Sequence, residues 1–151
     1  MERSAAILAT LTQQRRSFFN GFWKSGDLGY LDEHDYLFIV DRKKDMITSG
    51  GFNVYAVEVE GALSEHPEVL MAAVVGVPHD DWGEAVHAEV VLRHQATASE
   101  SDLIAHAKTR LASYKAPKSV RIVSELPLSP VGKVLRRQVR APYWEGSDRR
   151  I

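Results

Sequence analysis

The run Val69-Leu70-Met71-Ala72-Ala73-Val74-Val75-Gly76-Val77 constrains the fold of this chain more than any other stretch. It is far short of the roughly 18 residues that cross a bilayer. A strand with one wet face would alternate polar and apolar side chains, and this one does not. It reads as a central buried strand, apolar on both faces. A strand of that kind needs layers above and below it, and the chain supplies candidates. Val59, Ala62, Leu63 and His66 fall on one side of a helix spanning Val57 to His66. Leu103, Ile104, Ala107 and Leu111 stripe a second helix, opened by Ser99 with Asp102 as a capping box. Ala85 to Arg93 alternates: Val86, Ala88, Val90 and Leu92 face one way and His87, Glu89 and Arg93 the other, as in a strand with one wet face. Val120 to Val123 is a further strand. Val134 to Tyr143 is a basic final helix that Pro142 ends or kinks.

Upstream, residues 1 to about 20 read as a partly helical lead-in, without the cleavage signature of a signal peptide. Tyr30-Leu31 and Tyr36 to Val40 flank Asp32-Glu33-His34-Asp35, which is turn chemistry, so a hairpin is expected there. Met46 to Thr48 and Asn53 to Tyr55 are short strands around Gly50-Gly51. The order after the basic cluster Arg42 to Lys44 is β-α-β-β-α-β-α, an α+β fold with helices packed on a small mixed sheet.

Bulk numbers exclude several function classes. At 151 residues, with a net charge of −1, nothing points to nucleic acid or an anionic membrane surface. No cysteine is present, which excludes disulfides and thiol catalysis and suits a reducing cytoplasm. The six histidines show no metal spacing.

Three motifs carry the chemistry. Ser25-Gly26-Asp27-Leu28-Gly29 sets a carboxylate between small residues, where it can accept two hydrogen bonds from a diol or simply cap a turn. Asp41-Arg42-Lys43-Lys44-Asp45-Met46-Ile47-Thr48-Ser49-Gly50-Gly51 runs from an exposed basic joint, or a solubilising patch, into a glycine turn. Leu126-Pro127-Leu128-Ser129-Pro130-Val131-Gly132-Lys133 is a proline-stiffened loop ending in Gly-Lys before a helix, without the spacing of a phosphate-binding P-loop. Between the last two lie Trp82, on a loop after Pro78, and Tyr114 in Tyr114-Lys115-Ala116-Pro117-Lys118. These rings are either stacking platforms or caps on the local core.

In this order the motifs resemble the adenylate-forming superfamily, most nearly the C-terminal part of AMP-forming acyl-CoA synthetases, from about Gly21 to Trp144. The resemblance implies that residues 1–41 are the tail of a large N-terminal adenylation domain, ending in its last hairpin. Residues 42–151 would be a mobile C-terminal lid. It implies that Asp27 and Arg42 contact the nucleotide, that Lys44 is the hinge, and that Lys133 bridges the substrate carboxylate and the α-phosphate. Gly50 and Gly51 would leave passage for a pantetheine arm, Gly51 being the position where a side chain blocks it. Trp82 and Tyr114 would stack near the adenine of CoA, while Lys115 and Lys118 either neutralise its phosphates or are ordinary surface lysines. ATP, used with Mg²⁺, CoA and a carboxylic acid, expected to be fatty, are the implied substrates. No tightly held cofactor or protein-ligated metal is expected. The phosphate loop and acid pocket of such enzymes are not in this sequence, so the partner implied is its own N-terminal domain. Two alternatives stand beside this: a free-standing accessory or CoA-binding module, and the lid of an adenylation domain that loads a carrier protein. Ser25, His34-Asp35 and Ala56 depart from the family's usual threonine, Asp-Gly and proline.

Overall fold

The computed structural model describes residues 18–19, 22–23 and 25–146. The lead-in helix expected near the N-terminus lies outside the described residues. These residues fall into two units, one ending at Lys44 and the other beginning at Asp45.

In the first unit, β1 (Phe18–Phe19) pairs antiparallel with β2 (Phe22–Trp23). The expected hairpin is formed by β3 (Asp27–Leu31) and β4 (Leu37–Arg42). Its turn is closed by Asp32, whose Oδ1 accepts the His34 and Tyr36 N–H groups at 2.9 Å each. Asp35, at φ 62°, takes the left-handed position that a short polar side chain tolerates. The Lys43 N–H donates to the Gly26 carbonyl at 2.8 Å. That bond prolongs the hairpin beyond Arg42. A short 3-10 turn, Lys43–Asp45, follows.

The second unit has a five-stranded mixed sheet and three helices. β5 (Ile47–Ser49) and β6 (Phe52–Val54) form a hairpin around Gly50 and Gly51. Both glycines have positive φ, +57° and +84°, which is what a two-residue type I′ turn demands. Helix α1 (Ala56–Ser64) follows, then β7 (Val69–His79) and β8 (Gly83–Leu92), helix α2 (Glu100–Lys108), β9 (Ser119–Ile122) and helix α3 (Arg136–Trp144). Strand order is β6-β5-β8-β7, with β9 parallel to β8 and the other pairs antiparallel.

Three expectations change. β7 is not central: among the described residues it pairs only with β8, which is the middle strand. Its unbroken apolar run is explained by two covered faces. Val69 and Val74 join Val59 and Leu63 of α1 and Leu103 and Ala107 of α2 in one core, while Ala73 and Val75 meet Leu126 and Val139 of α3 in another. A fully buried Leu63 or Leu103 contributes about 1.5–3 kcal/mol. The open rim of β7 is closed by side chains. Glu60 Oε1 accepts the Val74 N–H at 2.9 Å, and Trp144 Nε1 donates to the Gly76 carbonyl at 2.9 Å.

Second, the supposedly wet face of β8 is covered by α3: His87 is buried and Glu89 nearly so. Third, α3 begins at Arg136 rather than Val134. Val134 is held in a bridge with Leu128, and the Leu135 N–H donates to the Pro127 carbonyl at 2.8 Å. Pro142 does not stop this helix, which runs on to Trp144. Likewise His66 lies past the end of α1, while Val59, Ala62 and Leu63 are buried as their spacing predicts.

Candidate functional site

The β5–β6 turn, the β7–β8 connection and the segment before β9 come together at one end of the sheet. Gly50 N–H donates to the Trp82 carbonyl at 3.0 Å, and Lys118 N–H to the Val86 carbonyl at 2.8 Å. Between them lies a cleft of about 290 Å³ lined by Ser49, Gly50, Phe52, Trp82, Ser113, Tyr114 and Lys118. Three of these seven residues are aromatic. The Phe52 and Tyr114 rings stand 4.7 Å apart, tilted by 32°. Trp82 is flanked by the His79 ring, 4.3 Å away and nearly parallel, and by the Lys118 ammonium 5.0 Å from its centroid. Of these two neighbours, Lys118 is the one on a flexible stem. Of the lining residues only Lys118 is charged. Its Nζ donates to the Ser113 carbonyl at 3.0 Å.

Gly50, Trp82 and Tyr114, singled out from the sequence, are thus brought together. Gly51 is not among the lining residues, and a Cβ there would meet nothing within 4 Å. Lys115 points elsewhere: its ammonium holds both Glu58 oxygens, at 2.6 and 2.9 Å, and that carboxylate raises its pKa. Sequence reasoning missed Phe52, Ser49 and Ser113. The signal for Phe52 was present, since a two-residue Gly50-Gly51 turn places it directly opposite Ser49.

Lys133 stands apart from the cleft, on its own tight hairpin. Ser129 N–H donates to the Lys133 carbonyl and Gly132 N–H to the Ser129 carbonyl, each at 2.8 Å, while Lys133 N–H donates to Ser129 Oγ at 3.0 Å. These bonds fix the backbone and leave the side chain exposed, with no ion pair among the described residues. In the other unit, Asp27 and Arg42 face each other across β3 and β4, with Arg42 Nε 3.6 Å from Asp27 Oδ1. Lys44 is the last residue of that unit. No group of His, Asp and Glu among the described residues could hold a metal ion. No described helix is long and apolar enough to cross a membrane.

The family described as the AMP-binding enzyme C-terminal domain matches residues 58–133, half of the chain, and the match ends on Lys133. The chain belongs to this family. The AMP-binding enzyme C-terminal domain is found here with its relatives' fold. The chain is 45% identical to the medium/long-chain-fatty-acid–CoA ligase FadD8 of Mycobacterium tuberculosis, over 90% of this chain and 25% of that protein. It is 43% identical to the fatty acid–[acyl-carrier-protein] ligase ScoC of Streptomyces coeruleorubidus, over 87% of this chain and 25% of that one. Among solved structures, ATP-bound MatB from Rhodopseudomonas palustris superposes with a TM-score of 0.82 at 40% identity, over 87% of this chain and 26% of MatB. The chain therefore spans about a quarter of the length of these relatives.

Proposed function

We propose that this chain is the C-terminal part of an ATP-dependent acid–CoA ligase, acting with an N-terminal domain that carries the acid pocket and phosphate loop. In the first step a carboxylate oxygen attacks the α-phosphorus of Mg²⁺-bound ATP and pyrophosphate leaves, giving acyl-AMP. In the second the CoA thiol, losing its proton, attacks the acyl carbonyl and AMP leaves. The Lys133 ammonium serves the first step by offsetting charge that builds between carboxylate and α-phosphate. The aromatic cleft serves the second, holding the nucleotide end of CoA between Trp82 and Tyr114, with Lys118 turning from the indole to a phosphate. Asp27 and Arg42 hold the ATP ribose and its neighbourhood. Lys44 is the hinge at which the second unit turns between steps.

The observation that supports the reading is the separation of Lys133, exposed on its own hairpin and without an ion pair among the described residues, from an aromatic cleft with one cation. On this reading one compact unit carries two different surfaces, one for each reaction. In the complete enzyme, Lys133→Ala should abolish acid-dependent ATP–pyrophosphate exchange and spare thioester formation from supplied acyl-AMP. Trp82→Ala should raise the KM for CoA and leave exchange intact. Equal loss of both activities in both variants would sink the assignment.

ScoC's name keeps a second acceptor in view, a carrier protein. The cleft favours free CoA, because a carrier's pantetheine has no adenine to stack and no 3′-phosphate for Lys118. Turnover with CoA far above turnover with a pantetheinylated carrier is the expected result, and the reverse would select the carrier. The acid, taken as fatty, is tested by comparing chain lengths in the exchange assay.

A further inference from the structure

The seam between β5 and β8 is poor in main-chain bonds, since the register pairs only Ser49 with Gly83. One residue on, a side chain continues the ladder: Glu84 Oε2 accepts the Thr48 N–H at 3.1 Å. The other oxygen, Oε1, accepts Arg140 Nη2 at 2.6 Å, on the helix that follows the Lys133 hairpin. Both partners are largely buried, with side-chain exposures of 20% for Arg140 and 16% for Glu84. Arg140 Nε is buried with no hydrogen-bond partner among the described residues, so Glu84 is the acid that compensates this cation. The fold also makes room for the carboxylate. A Cβ at Gly76 would lie 2.5 Å from Glu84 Oε2 and 2.9 Å from its Cδ, so the carboxylate keeps this place only while position 76 is glycine.

Thr48 is two residues before Gly50, and Glu84 is two residues after Trp82. We infer that Glu84 is a positioning residue that ties the Gly50–Trp82 wall of the cleft to the helix behind Lys133. The two working surfaces are thereby carried in fixed register. The activity readouts below rest on the proposed function; the geometric one does not.

In the complete ligase, Glu84→Gln keeps an oxygen for Thr48 N–H but offers Arg140 no charge, and Arg140→Met removes the other end of the tie. Each should lower kcat for ATP–pyrophosphate exchange about tenfold with KM for CoA unchanged, and the double variant should fall no further than either alone. Gly76→Ala displaces the carboxylate from both partners, so exchange falls and KM for CoA also rises. Added to Glu84→Ala, it leaves only the Ile47 Cγ2 contact at 3.1 Å and should lower exchange little further. Amide exchange at Thr48 reads the same geometry without any turnover: protection is lost in Glu84→Ala and Gly76→Ala and kept in Glu84→Gln. Multiplying effects in the double variant, or unaltered Thr48 protection in Glu84→Ala, would overturn the inference. A parent enzyme that forms no acyl-AMP overturns the functional reading instead, and leaves the exchange test at Thr48 to decide this one.

Discussion

His87 is the residue whose sequence context says least about what it does. It lies on the alternating strand β8, at a position that looks solvent-facing. Instead Nδ1 meets Ser119 Oγ at 2.7 Å and Nε2 meets Tyr143 Oη at 2.8 Å, while Tyr143 O–H donates to Glu89 at 2.8 Å. The tyrosine has one proton and gives it to the carboxylate, so Nε2 carries the imidazole proton and Nδ1 accepts from the serine. Burial holds the His87 pKa below its ordinary value of 6.5, outweighing the nearby Glu89. The folded state therefore prefers the neutral ring, and its contribution is fully present above pH 6.5 and lost as pH falls below that value. In thermal melts, His87→Gln should be less stable than the parent at pH 8, with the deficit narrowing below pH 6.5. A deficit that stays constant down to pH 5 would remove His87 from the pH response. Gly50 and Gly51 were legible without a structure, since a hairpin turn with two positive φ angles admits little else. Gly51→Ala meets no atom, so its cost is backbone strain alone, about 1–2 kcal/mol in the urea-unfolding free energy.

At the scale of elements, pattern reasoning recovered what depends on one segment and missed what depends on two. The capping box of α2 is local, and it is present: Ser99 Oγ accepts Asp102 N–H at 3.2 Å, and Asp102 Oδ2 accepts Ser99 N–H at 2.9 Å. The Ser99 hydroxyl, donating to Asp102 Oδ2 at 2.6 Å, and after it the Ser99 N–H hold the Asp102 carboxyl below its usual pKa. Ser99→Ala should cost about 1 kcal/mol, read from the urea midpoint at constant slope. The apolar run of β7 was legible as buried, yet its place in the sheet was not. Side-chain polarity reports whether the faces of a strand are covered and is silent about its hydrogen-bonding rims. The basic helix α3 was equally opaque. The sequence shows only that it is basic, whereas in the fold Arg136 forks onto Glu60 at 2.9 and 2.5 Å, Arg140 binds Glu84, and Tyr143 and Trp144 complete the docked face. The matching acids lie on α1 and β8, and no local rule links them to α3. Glu60→Ala leaves the Val74 N–H without its acceptor and Arg136 with Asp45 in place of the Glu60 fork, and should destabilise the second unit by about 1–3 kcal/mol in chemical unfolding.

For the whole molecule, the division after Lys44 leaves Arg42, Lys43 and Lys44 exposed beside it. Limited trypsin digestion should cut there first and release a fragment starting at Asp45 that resists further cleavage. Early cuts within β8 or α2 would contradict two separately folded units. The motifs of the candidate site were legible because each is a local backbone device: a glycine turn, a loop tryptophan, a Gly-Lys hairpin. Their grouping into one cleft and one separate hairpin was not, because it depends on β5 joining β8 across the intervening helix α1 and strand β7. One consequence concerns the rim of β7, sealed by Glu60 and Trp144. A sheet rim without its seal is a template on which another copy's strand can assemble. The last helix is therefore a guard as well as a support. A copy truncated before Arg136 should scatter light and bind amyloid dyes where the intact chain does neither. Any swing of this unit in a working cycle has to carry α3 along, because leaving it behind would trade catalysis for polymer.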